Sequence, residues 1–282
     1  MSTTWQCGRF EFKLERPILM GIVNVTPDSF SDGARHATTE AAIRHARQLI
    51  EQGAQILDIG GESTRPGAEP VPTKRELERV MPVLEALRHS GVALSLDTCK
   101  PEVMQAALEQ DVDIINDVTG FRDLGAREVV ANHPNCGVCI MHMQGEPRTM
   151  QTNPQYEDVV HDVAAALAQS ARALETLGVG ANRIAIDPGF GFGKTVEHNY
   201  TLLRKLGTLV ELGYPVLAGL SRKSMIGAVT GKSVDQRVFG SVAAALLAVI
   251  SGSRIIRVHD VQATRDAIAV WQAYEFGPQE LL

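Results

Sequence analysis

Residues 92–116 read V-A-L-S-L-D-T-C-K-P-E-V-M-Q-A-A-L-E-Q-D-V-D-I-I-N, and the pattern of this stretch decides the fold. An apolar run stops at Asp97, a helix-like segment follows, and a second apolar run stops at Asn116. The same succession of strand, loop and helix recurs along the chain. Apolar runs stop in the same way at six further polar residues: Asn24, Asp58, His142, Asp187, Ser221 and His259. Eight such units predict an α/β fold, a parallel (β/α)8 TIM barrel whose strand C-termini surround one pocket.

The predicted strands are mostly continuous runs of valine, isoleucine and leucine, as expected of strands buried on both faces. Their ranges are 18–23, 55–59, 92–96, 113–115, 137–141, 183–186, 215–220 and 254–258. Helices are predicted at 39–52, 73–90 and 158–177, each followed by a glycine, which favours a helix C-terminal cap. Residues 5–14 alternate loosely about Cys7-Gly8-Arg9 and predict a short hairpin that covers the barrel floor.

Length and composition favour one domain that binds neither nucleic acid nor a membrane. A (β/α)8 barrel commonly reaches about 250 residues. The chain has 282 residues and no linker or low-complexity tract, so residues 1–282 are predicted to form a single domain. The net charge of -6 gives no general attraction for nucleic acid or an anionic membrane. Residues 1–13 hold no apolar signal core and the run 242–250 is too short to span a bilayer, so a cytoplasmic location is expected.

The four cysteines do not make a disulfide framework in a chain of this length. Cys136 and Cys139 form a C-x-x-C pair, which raises zinc binding and redox chemistry as alternatives. Only His142 is close enough in sequence to be another zinc ligand, and redox pairs usually open a helix rather than lie in an apolar strand. Buried structural thiols are therefore the preferred interpretation.

Three strand ends carry acceptors suited to a flat, nitrogen-rich ring. Asp97, Asn116 and Asp187 place two carboxylates and an amide at the mouth, and a carboxylate pairs well with the two adjacent N–H groups of a 2-amino-4-oxo-pyrimidine. The alternative is that each strand-end residue caps the following helix, since Asp and Asn are favoured caps. Three such residues together favour the ring site.

Arg257 and His259 are two residues apart on the last strand, so one cationic and one titratable side chain share a face. Such a pair fits a phosphate or diphosphate. Asn24, on the adjacent first strand of a closed barrel, adds a neutral oxygen that could hold Mg²⁺ between phosphates. The alternative is an interior salt bridge, because buried arginine is uncommon without a partner.

Two further glycine- or serine-rich segments bear on anion binding. Ser221-Arg222-Lys223-Ser224 is expected to open a helix whose free N–H groups favour an anion, although an N-cap serine with solvated basic neighbours is the alternative. Gly191-Phe192-Gly193-Lys194-Thr195 ends like a phosphate-binding P-loop, but Pro188 stands where that motif needs glycine. The P-loop is rejected, and these glycines are expected to let the chain pass close to a flat ligand.

Five motifs, in this order, resemble the bacterial dihydropteroate synthases. They are N-V-T-P-D-S-F-S-D-G at 24–33, G-G-E-S-T-R-P-G at 60–67, D-P-G-F-G-F-G-K at 187–194, S-R-K-S at 221–224 and I-R-V-H-D-V at 256–261. The resemblance covers nearly the whole chain. It implies a folate-biosynthesis transferase that joins 6-hydroxymethyl-7,8-dihydropterin diphosphate to p-aminobenzoate and releases diphosphate with the help of Mg²⁺.

The resemblance also implies roles for particular residues. The pterin ring is assigned to Asp97, Asn116, Asp187 and Lys223, in a slot lined by Met141, Phe192 and Gly219. Diphosphate and magnesium are assigned to Asn24, Arg257 and His259, with Asn24 as the metal ligand, and p-aminobenzoate to Phe30, Thr64, Arg65 and Ser224. Catalysis is expected from Asn24, Arg65, Asp97, Lys223, Arg257 and His259. The departures from the family pattern, Ala34 and Cys99, do not touch this chemistry.

The implied mechanism is dissociative, with diphosphate leaving before the anilino nitrogen attacks, so no side-chain nucleophile is needed. Sulfonamides, which mimic p-aminobenzoate, should compete. Two alternatives remain open: a methyltetrahydrofolate methyltransferase module, which needs no diphosphate site, and a non-catalytic barrel that only binds a ligand or partner.

Residues 242–250 are apolar almost all round, which predicts a homodimer through the last helices.

Overall fold

The computed structural model describes residues 4–25, 35–64, 67–146 and 148–278. An antiparallel hairpin comes first, formed by β1 (Thr4–Cys7) and β2 (Phe10–Lys13). Eight strands then form one parallel sheet: β3 (Ile18–Asn24), β4 (Ile56–Gly60), β5 (Ala93–Asp97), β6 (Ile114–Asp117), β7 (Gly137–Met141), β8 (Ile184–Asp187), β9 (Leu217–Ala218) and β10 (Ile255–Val258). The predicted (β/α)8 barrel with an N-terminal hairpin is confirmed.

Helices alternate with the barrel strands and surround the sheet. They are α1 (Arg35–Glu51), α2 (Thr73–Leu87), α3 (Pro101–Leu108), α4 (Leu124–Asn132), α5 (Val159–Thr176), α6 (Val196–Arg204), α7 (Leu206–Val210), α8 (Ser224–Thr230), α9 (Val238–Ile250) and α10 (Val261–Phe276). All three expected glycine ends have the left-handed backbone that glycine allows: Gly53 at φ +105°, Gly91 at φ +83° and Gly178 at φ +94°. No helix in the described residues is both long and apolar enough to cross a membrane.

The barrel closes by pairing its first and last strands and has one weak seam. The strand order is β8-β7-β6-β5-β4-β3-β10-β9, so β10 lies between β3 and β9. At the seam, a single bridge joins Ile186 to Val216, and the Ile186 N–H donates to the Pro215 carbonyl at 2.9 Å. Strand β9 has two residues where six were predicted, in part because Pro215 has no N–H to donate to a ladder.

The hairpin covers the floor of the barrel, as expected. Trp5 and Cys7 are fully buried in one apolar cluster that includes an inward-facing residue of each barrel strand. The Trp5 indole N–H donates to the Arg183 carbonyl at 3.0 Å. Gly8 turns the hairpin at φ +55°, and a Cβ there would lie 2.6 Å from Asp113 Oδ1, so only glycine fits this approach.

The cysteines pack as structural thiols, and all four are free. Cys7 and Cys139 belong to the floor, and Cys136 is buried behind the sheet, where its sulfur lies 3.2 Å from Arg183 Nη2. Burial raises the pKa of the Cys7, Cys136 and Cys139 thiols. Within the described ranges, no three His, Cys, Asp or Glu side chains are grouped as metal ligands.

Candidate active site

Strand alternation builds the site. The floor residues Met20, Ile56, Ala93, Ile114, Cys139, Ala185, Leu217 and Ile255 face the barrel interior. Because side chains two residues apart on a strand share a face, the next inward layer is Ile22, Asp58, Ser95, Asn116, Met141, Asp187, Gly219 and Arg257. Asn24, Gly60 and Asp97 lie two residues farther along β3, β4 and β5. An apolar floor is therefore followed by a layer in which five of eight positions are polar: Asp58, Ser95, Asn116, Asp187 and Arg257.

Arg257 links two carboxylates at the centre of this ring. Its Nε donates to Asp58 Oδ2 at 2.6 Å and its Nη2 donates to Asp97 Oδ2 at 2.9 Å. The interior salt bridge that was weighed as an alternative is therefore present. Among the described residues, nothing hydrogen-bonds Arg257 Nη1, which leaves this nitrogen available to a bound molecule.

Asp97 offers one oxygen that has no partner. The residue is only 8% exposed, and its Oδ1 is buried without a hydrogen bond within the described part of the chain. An unsatisfied buried acceptor is costly, so this atom is suited to a ligand N–H. Burial raises the pKa of Asp97 to about 7, against the opposing effect of the Arg257 charge.

Asn116 pairs with Asp97 across β5 and β6 and faces the same space. Its Nδ2 donates to Asp58 Oδ2 at 3.1 Å, and it is 4% exposed. Asn116 is predicted from the sequence to lie in the ring site, whereas no role is predicted for Asp58. Asp58 is fully buried in the structure and touches both Asn116 and Arg257.

Asp187 and Gly219 complete the ring at the seam between β8 and β9. Asp187 Oδ1 accepts from the Gly189 N–H at 2.7 Å, and burial raises the pKa of this carboxyl. A Cβ on Gly219 would lie 3.9 Å from both Asp187 Oδ2 and the Arg257 side chain. The absence of a side chain at Gly219 therefore leaves open the space between these two groups.

Lys223 brings a cation toward Asp187 and is held by the loop after β8. Its Nζ donates to the Phe190 carbonyl and lies 4.7 Å from the centre of the Phe192 ring. Burial lowers the pKa of Lys223 to about 8, while the Asp187 charge acts in the opposite direction. Met141 and Phe192 belong to one apolar cluster with Val118 and Met143, which gives the site an apolar wall.

A second lysine, Lys194, holds the same loop through hydrogen bonds to its backbone carbonyls. It is 3% exposed, and its Nζ lies 3.0 Å from the Gly189 carbonyl, 3.0 Å from the Phe192 carbonyl and 3.0 Å from His142 Nδ1. Burial lowers the pKa of Lys194 to about 7 and that of His142 to about 3. Sequence reasoning considered Lys194 only as a P-loop lysine, so this loop clamp was missed.

The loop after β4 rests on a buried ion-pair cluster. Lys100 Nζ contacts the carboxylates of both Glu62 and Glu76, and Glu76 is fully buried. Thr64 is partly exposed at the end of the described part of this loop. Phe30 and Arg65, both expected to contact p-aminobenzoate, lie outside the described residues, as does Ala34.

The last strand and the turn after β9 meet at one hydrogen bond. His259 Nδ1 lies 3.0 Å from the Ser221 hydroxyl, which also accepts the His259 backbone N–H at 3.2 Å. Ser224 is the first residue of α8, as predicted, and is exposed. Arg222 is only partly solvated, since its side chain is 33% exposed and pairs with Asp260 at 2.5 Å. The structure thus places His259 and Ser224 on neighbouring segments of the mouth.

Asn24 is exposed at the end of β3, beside Gly60 of β4. One amide oxygen next to an open mouth fits Mg²⁺, which is commonly bound by one or two protein ligands, several waters and substrate phosphates. The donor set therefore fits a magnesium ion carried in with a phosphorylated ligand.

The site as a whole combines acceptors for ring N–H groups, an apolar wall, and two cations. Asp97, Asn116 and Asp187 supply acceptors from three sides, and Lys223 and Arg257 supply positive charge. Such a set suits binding of a planar heterocycle and stabilisation of a departing anion rather than covalent catalysis.

Comparison with known proteins gives a consistent result. Residues 20–259 match the family model described as pterin binding enzyme. The dihydropteroate synthase of Neisseria meningitidis serogroup C is 52% identical over 273 residues, which are 95% of this chain and 96% of that protein.

Solved structures agree with the sequence comparison. The Burkholderia cenocepacia dihydropteroate synthase complexed with 7,8-dihydropteroate superposes with a TM-score of 0.89 at 52% identity, covering 99% of this chain and 98% of that one. The Yersinia pestis dihydropteroate synthase with a sulfonamide drug complex gives a TM-score of 0.91 at 43% identity, with 96% and 98% of the two chains covered.

Proposed function

The chain belongs to the dihydropteroate synthases within the pterin-binding enzyme family, and from this premise we propose how its barrel mouth joins 6-hydroxymethyl-7,8-dihydropterin diphosphate to p-aminobenzoate. The products are 7,8-dihydropteroate and diphosphate, and the enzyme is a transferase of folate biosynthesis. One observation carries the assignment of the pterin site: buried acceptors of Asp97, Asn116 and Asp187 converge beside Arg257, and Asp97 Oδ1 has no partner in the described chain.

The pterin ring lies across this layer. Its N–H groups donate hydrogen bonds to Asp97 Oδ1, the side-chain oxygen of Asn116 and the carboxylate of Asp187, while Lys223 meets the carbonyl edge. Met141 and Phe192 cover the ring faces as apolar walls. A buried polar site of this kind rejects rings that lack the matching N–H groups, because its acceptors are then left unpaired.

Diphosphate leaves first. The C–O bond between the pterin methylene and the diphosphate breaks, and the negative charge on the leaving oxygens is met by Arg257 and His259. The methylene carbon becomes cationic in conjugation with the ring. The p-aminobenzoate nitrogen then forms the new C–N bond and releases a proton to solvent. Arg257 Nη1 is suited to the leaving group, because the hydrogen bonds from Nε to Asp58 and from Nη2 to Asp97 hold the guanidinium in place.

Magnesium is proposed as the cofactor, with Asn24 as its protein ligand. When bound, the ion neutralises charge on the departing diphosphate. Asn24 contributes its amide oxygen at the exposed end of β3 and orients the phosphates toward the mouth.

The p-aminobenzoate site is proposed at the rim, from Thr64, Ser224 and the loop residues Phe30 and Arg65. Ser224 begins α8 and is exposed there. A sulfonamide mimics p-aminobenzoate, and the sulfonamide complex of the Yersinia pestis relative supports competition at this rim.

Two properties of the whole molecule complete the proposal. Exposed apolar residues on α9 and α10 favour a homodimer through these helices, among them Phe239 at 89%, Leu247 at 52% and Tyr274 at 85% exposure. A cytoplasmic location is proposed because the four free thiols would stay reduced there. Residues 1–282 are proposed to form a single domain.

The test is a coupled assay on the purified protein. Diphosphate release is followed with Mg²⁺, with and without p-aminobenzoate, while dihydropteroate is quantified in the same samples. We expect one dihydropteroate for each diphosphate. Pterin binding without diphosphate release would refute the synthase reaction and would favour the methyltransferase-like or binding-only alternative.

A further inference from the structure

Asp58 sits beneath the substrate residues and makes three side-chain contacts. Its carboxylate is fully buried in the inward layer of β4. Oδ1 accepts from the Ser95 hydroxyl at 2.6 Å, while Oδ2 accepts from Asn116 Nδ2 at 3.1 Å and from Arg257 Nε at 2.6 Å. One oxygen therefore serves both Asn116 and Arg257, and the other oxygen serves Ser95, to which no substrate contact is assigned.

The contact with Asn116 decides which end of the amide faces the pocket. A carboxamide has a donor end and an acceptor end, and the two are set by the surrounding hydrogen bonds. Since a carboxylate only accepts, Asp58 must take the nitrogen. The oxygen of Asn116, which has no hydrogen bond among the described residues, is then the end presented to a ligand.

The contact with Arg257 decides the orientation of the guanidinium. Asp58 holds the Nε edge and Asp97 holds Nη2, so the planar group is fixed at two points. Nη1 has no hydrogen bond among the described residues. Loss of the Nε contact leaves Arg257 attached through Asp97 alone, the same carboxylate whose other oxygen is assigned to the ring.

We propose that Asp58 is a positioning residue that sets the acceptor sense of Asn116 and the orientation of Arg257, and so makes the pocket specific for the N–H-rich edge of the pterin. The inference rests on the proposed function. Asp58 acts through these two side chains and does not touch the substrate itself.

The test compares Asp58→Ala, Asp58→Asn and the matched control Ser95→Ala. Asp58→Ala removes both acceptors, Asp58→Asn keeps one oxygen that can still receive Asn116 Nδ2, and Ser95→Ala removes only the contact to Oδ1. The readouts are KM for each substrate, kcat, the melting temperature, and the Kd of 6-hydroxymethylpterin, which carries no diphosphate.

Asp58→Ala should raise both the Kd of 6-hydroxymethylpterin and the KM of the pterin diphosphate by about 10- to 100-fold, as expected for a lost hydrogen bond to a charged group. KM for p-aminobenzoate should change by less than about twofold. Asp58→Asn should recover most of the ring affinity, and Ser95→Ala should stay within about threefold of the unsubstituted enzyme. An unchanged Kd for 6-hydroxymethylpterin, or an equal rise in both KM values, would overturn the proposal.

A measurement on the unsubstituted protein covers the case in which Asp58→Ala does not fold. The side-chain N–H₂ signal of Asn116, labelled with ¹⁵N and assigned by its loss in Asn116→Ser, should exchange slowly with solvent already in the free protein, and 6-hydroxymethylpterin should not slow it much further. Fast exchange in the free protein that becomes slow only when 6-hydroxymethylpterin binds would show that the nitrogen faces the ligand and would overturn the proposal. Failure to make dihydropteroate would refute the proposed reaction, whereas the Asn116 signal would still report on the hydrogen bond between Asn116 and Asp58.

Discussion

Lys194 meets His142 instead of a carboxylate: its Nζ lies 3.0 Å from His142 Nδ1, inside the protein. With a pKa lowered to about 3, His142 is neutral, so its Nδ1 accepts and its proton is on Nε2. The remaining Lys194 contacts are to backbone carbonyls of Gly189, Phe192 and His142 itself. A lysine therefore takes the place of backbone donors in shaping the loop that carries Phe192.

Lys194→Met is expected to loosen this loop. Three carbonyls lose their donor, the Phe190 carbonyl and Phe192 ring no longer hold Lys223 firmly, and KM for the pterin diphosphate rises by about 10-fold or more. Lys205→Met, at the far end of α6, is the control and should leave KM unchanged. Equal KM values in the two variants would contradict the role of the clamp.

The buried Lys194 also predicts how stability depends on pH. Its folded pKa of about 7 lies below the usual 10.5, so between these values the unfolded chain binds a proton that the folded chain does not. The free energy of unfolding contributed by this residue must therefore rise with pH from about 7 to about 10.5. Urea unfolding of the unsubstituted protein and of Lys194→Met across this range measures it, and parallel curves would refute it.

Catalytic efficiency should also depend on pH, through Asp97 and Lys223. Protonation of Asp97 below about pH 7 removes an acceptor for the ring, and deprotonation of Lys223 above about pH 8 removes a charge. We expect kcat/KM for the pterin diphosphate to rise toward pH 7 and fall above pH 8. Asp97→Asn should abolish the acid limb, and an acid limb that persists in this variant would assign it to another group.

Lys100→Met should destabilise the protein by about 3–5 kcal/mol, because it leaves the fully buried Glu76 without its cation. The control is Arg148→Met, whose ion pair with Glu69 joins side chains that are 58% and 74% exposed and should contribute less than about 1 kcal/mol. Chemical unfolding of both variants gives the comparison. Similar losses would mean that burial of Glu76 does not decide the cost.

The proposed dimer predicts an effect of Leu247→Asp. Leu247 and Ile250 are 52% and 59% exposed on α9, and a charge there should separate two chains of 30.5 kDa each. Light scattering should show a dimer for the unsubstituted protein and a monomer for the variant. Leu124→Asp is the control, since Leu124 is 69% exposed on α4, away from these helices. A monomer before any substitution would refute the dimer.

Asn24→Leu tests the magnesium site. Loss of the amide oxygen should raise the Mg²⁺ concentration for half-maximal activity by about 10-fold, while the Kd of 6-hydroxymethylpterin stays unchanged. Asn153→Leu, at an exposed position in the loop after β7, serves as the control. An unchanged magnesium requirement in Asn24→Leu would remove Asn24 from this role.

The fold was readable from the sequence because strands and turns carry local signals. The strands predicted at 18–23 and 137–141 match β3 and β7 within one residue, and the glycine after α5 is where expected. The errors are at the ends of elements: β9, whose length depends on pairing with its neighbours, is shorter than the run 215–220, and α1 begins at Arg35 instead of residue 39. The sequence of one strand does not show how many of its residues form hydrogen bonds with the neighbouring strand.

The site was predictable where a polar residue ends an apolar run, as at Asp97, Asn116 and Asp187. It was not predictable for Lys194 and Glu76, whose partners come from distant segments. Asp58 had a usable signal, because it lies two residues after the floor residue Ile56 and must face the interior. Its partners Asn116 and Arg257 are 58 and 199 residues away, and only the closed barrel brings them together.

Strand β10 lies between β3 and β9, so the barrel can close only after this last strand has been synthesised. On the ribosome, the first barrel strand is finished at Asn24, but its neighbour begins only at Ile255. At typical rates of about 5–20 residues per second, one edge of β3 therefore stays unpaired for about 10–50 seconds. An open strand edge can pair with other chains, so this edge of β3 is exposed to mispairing until β10 has been synthesised.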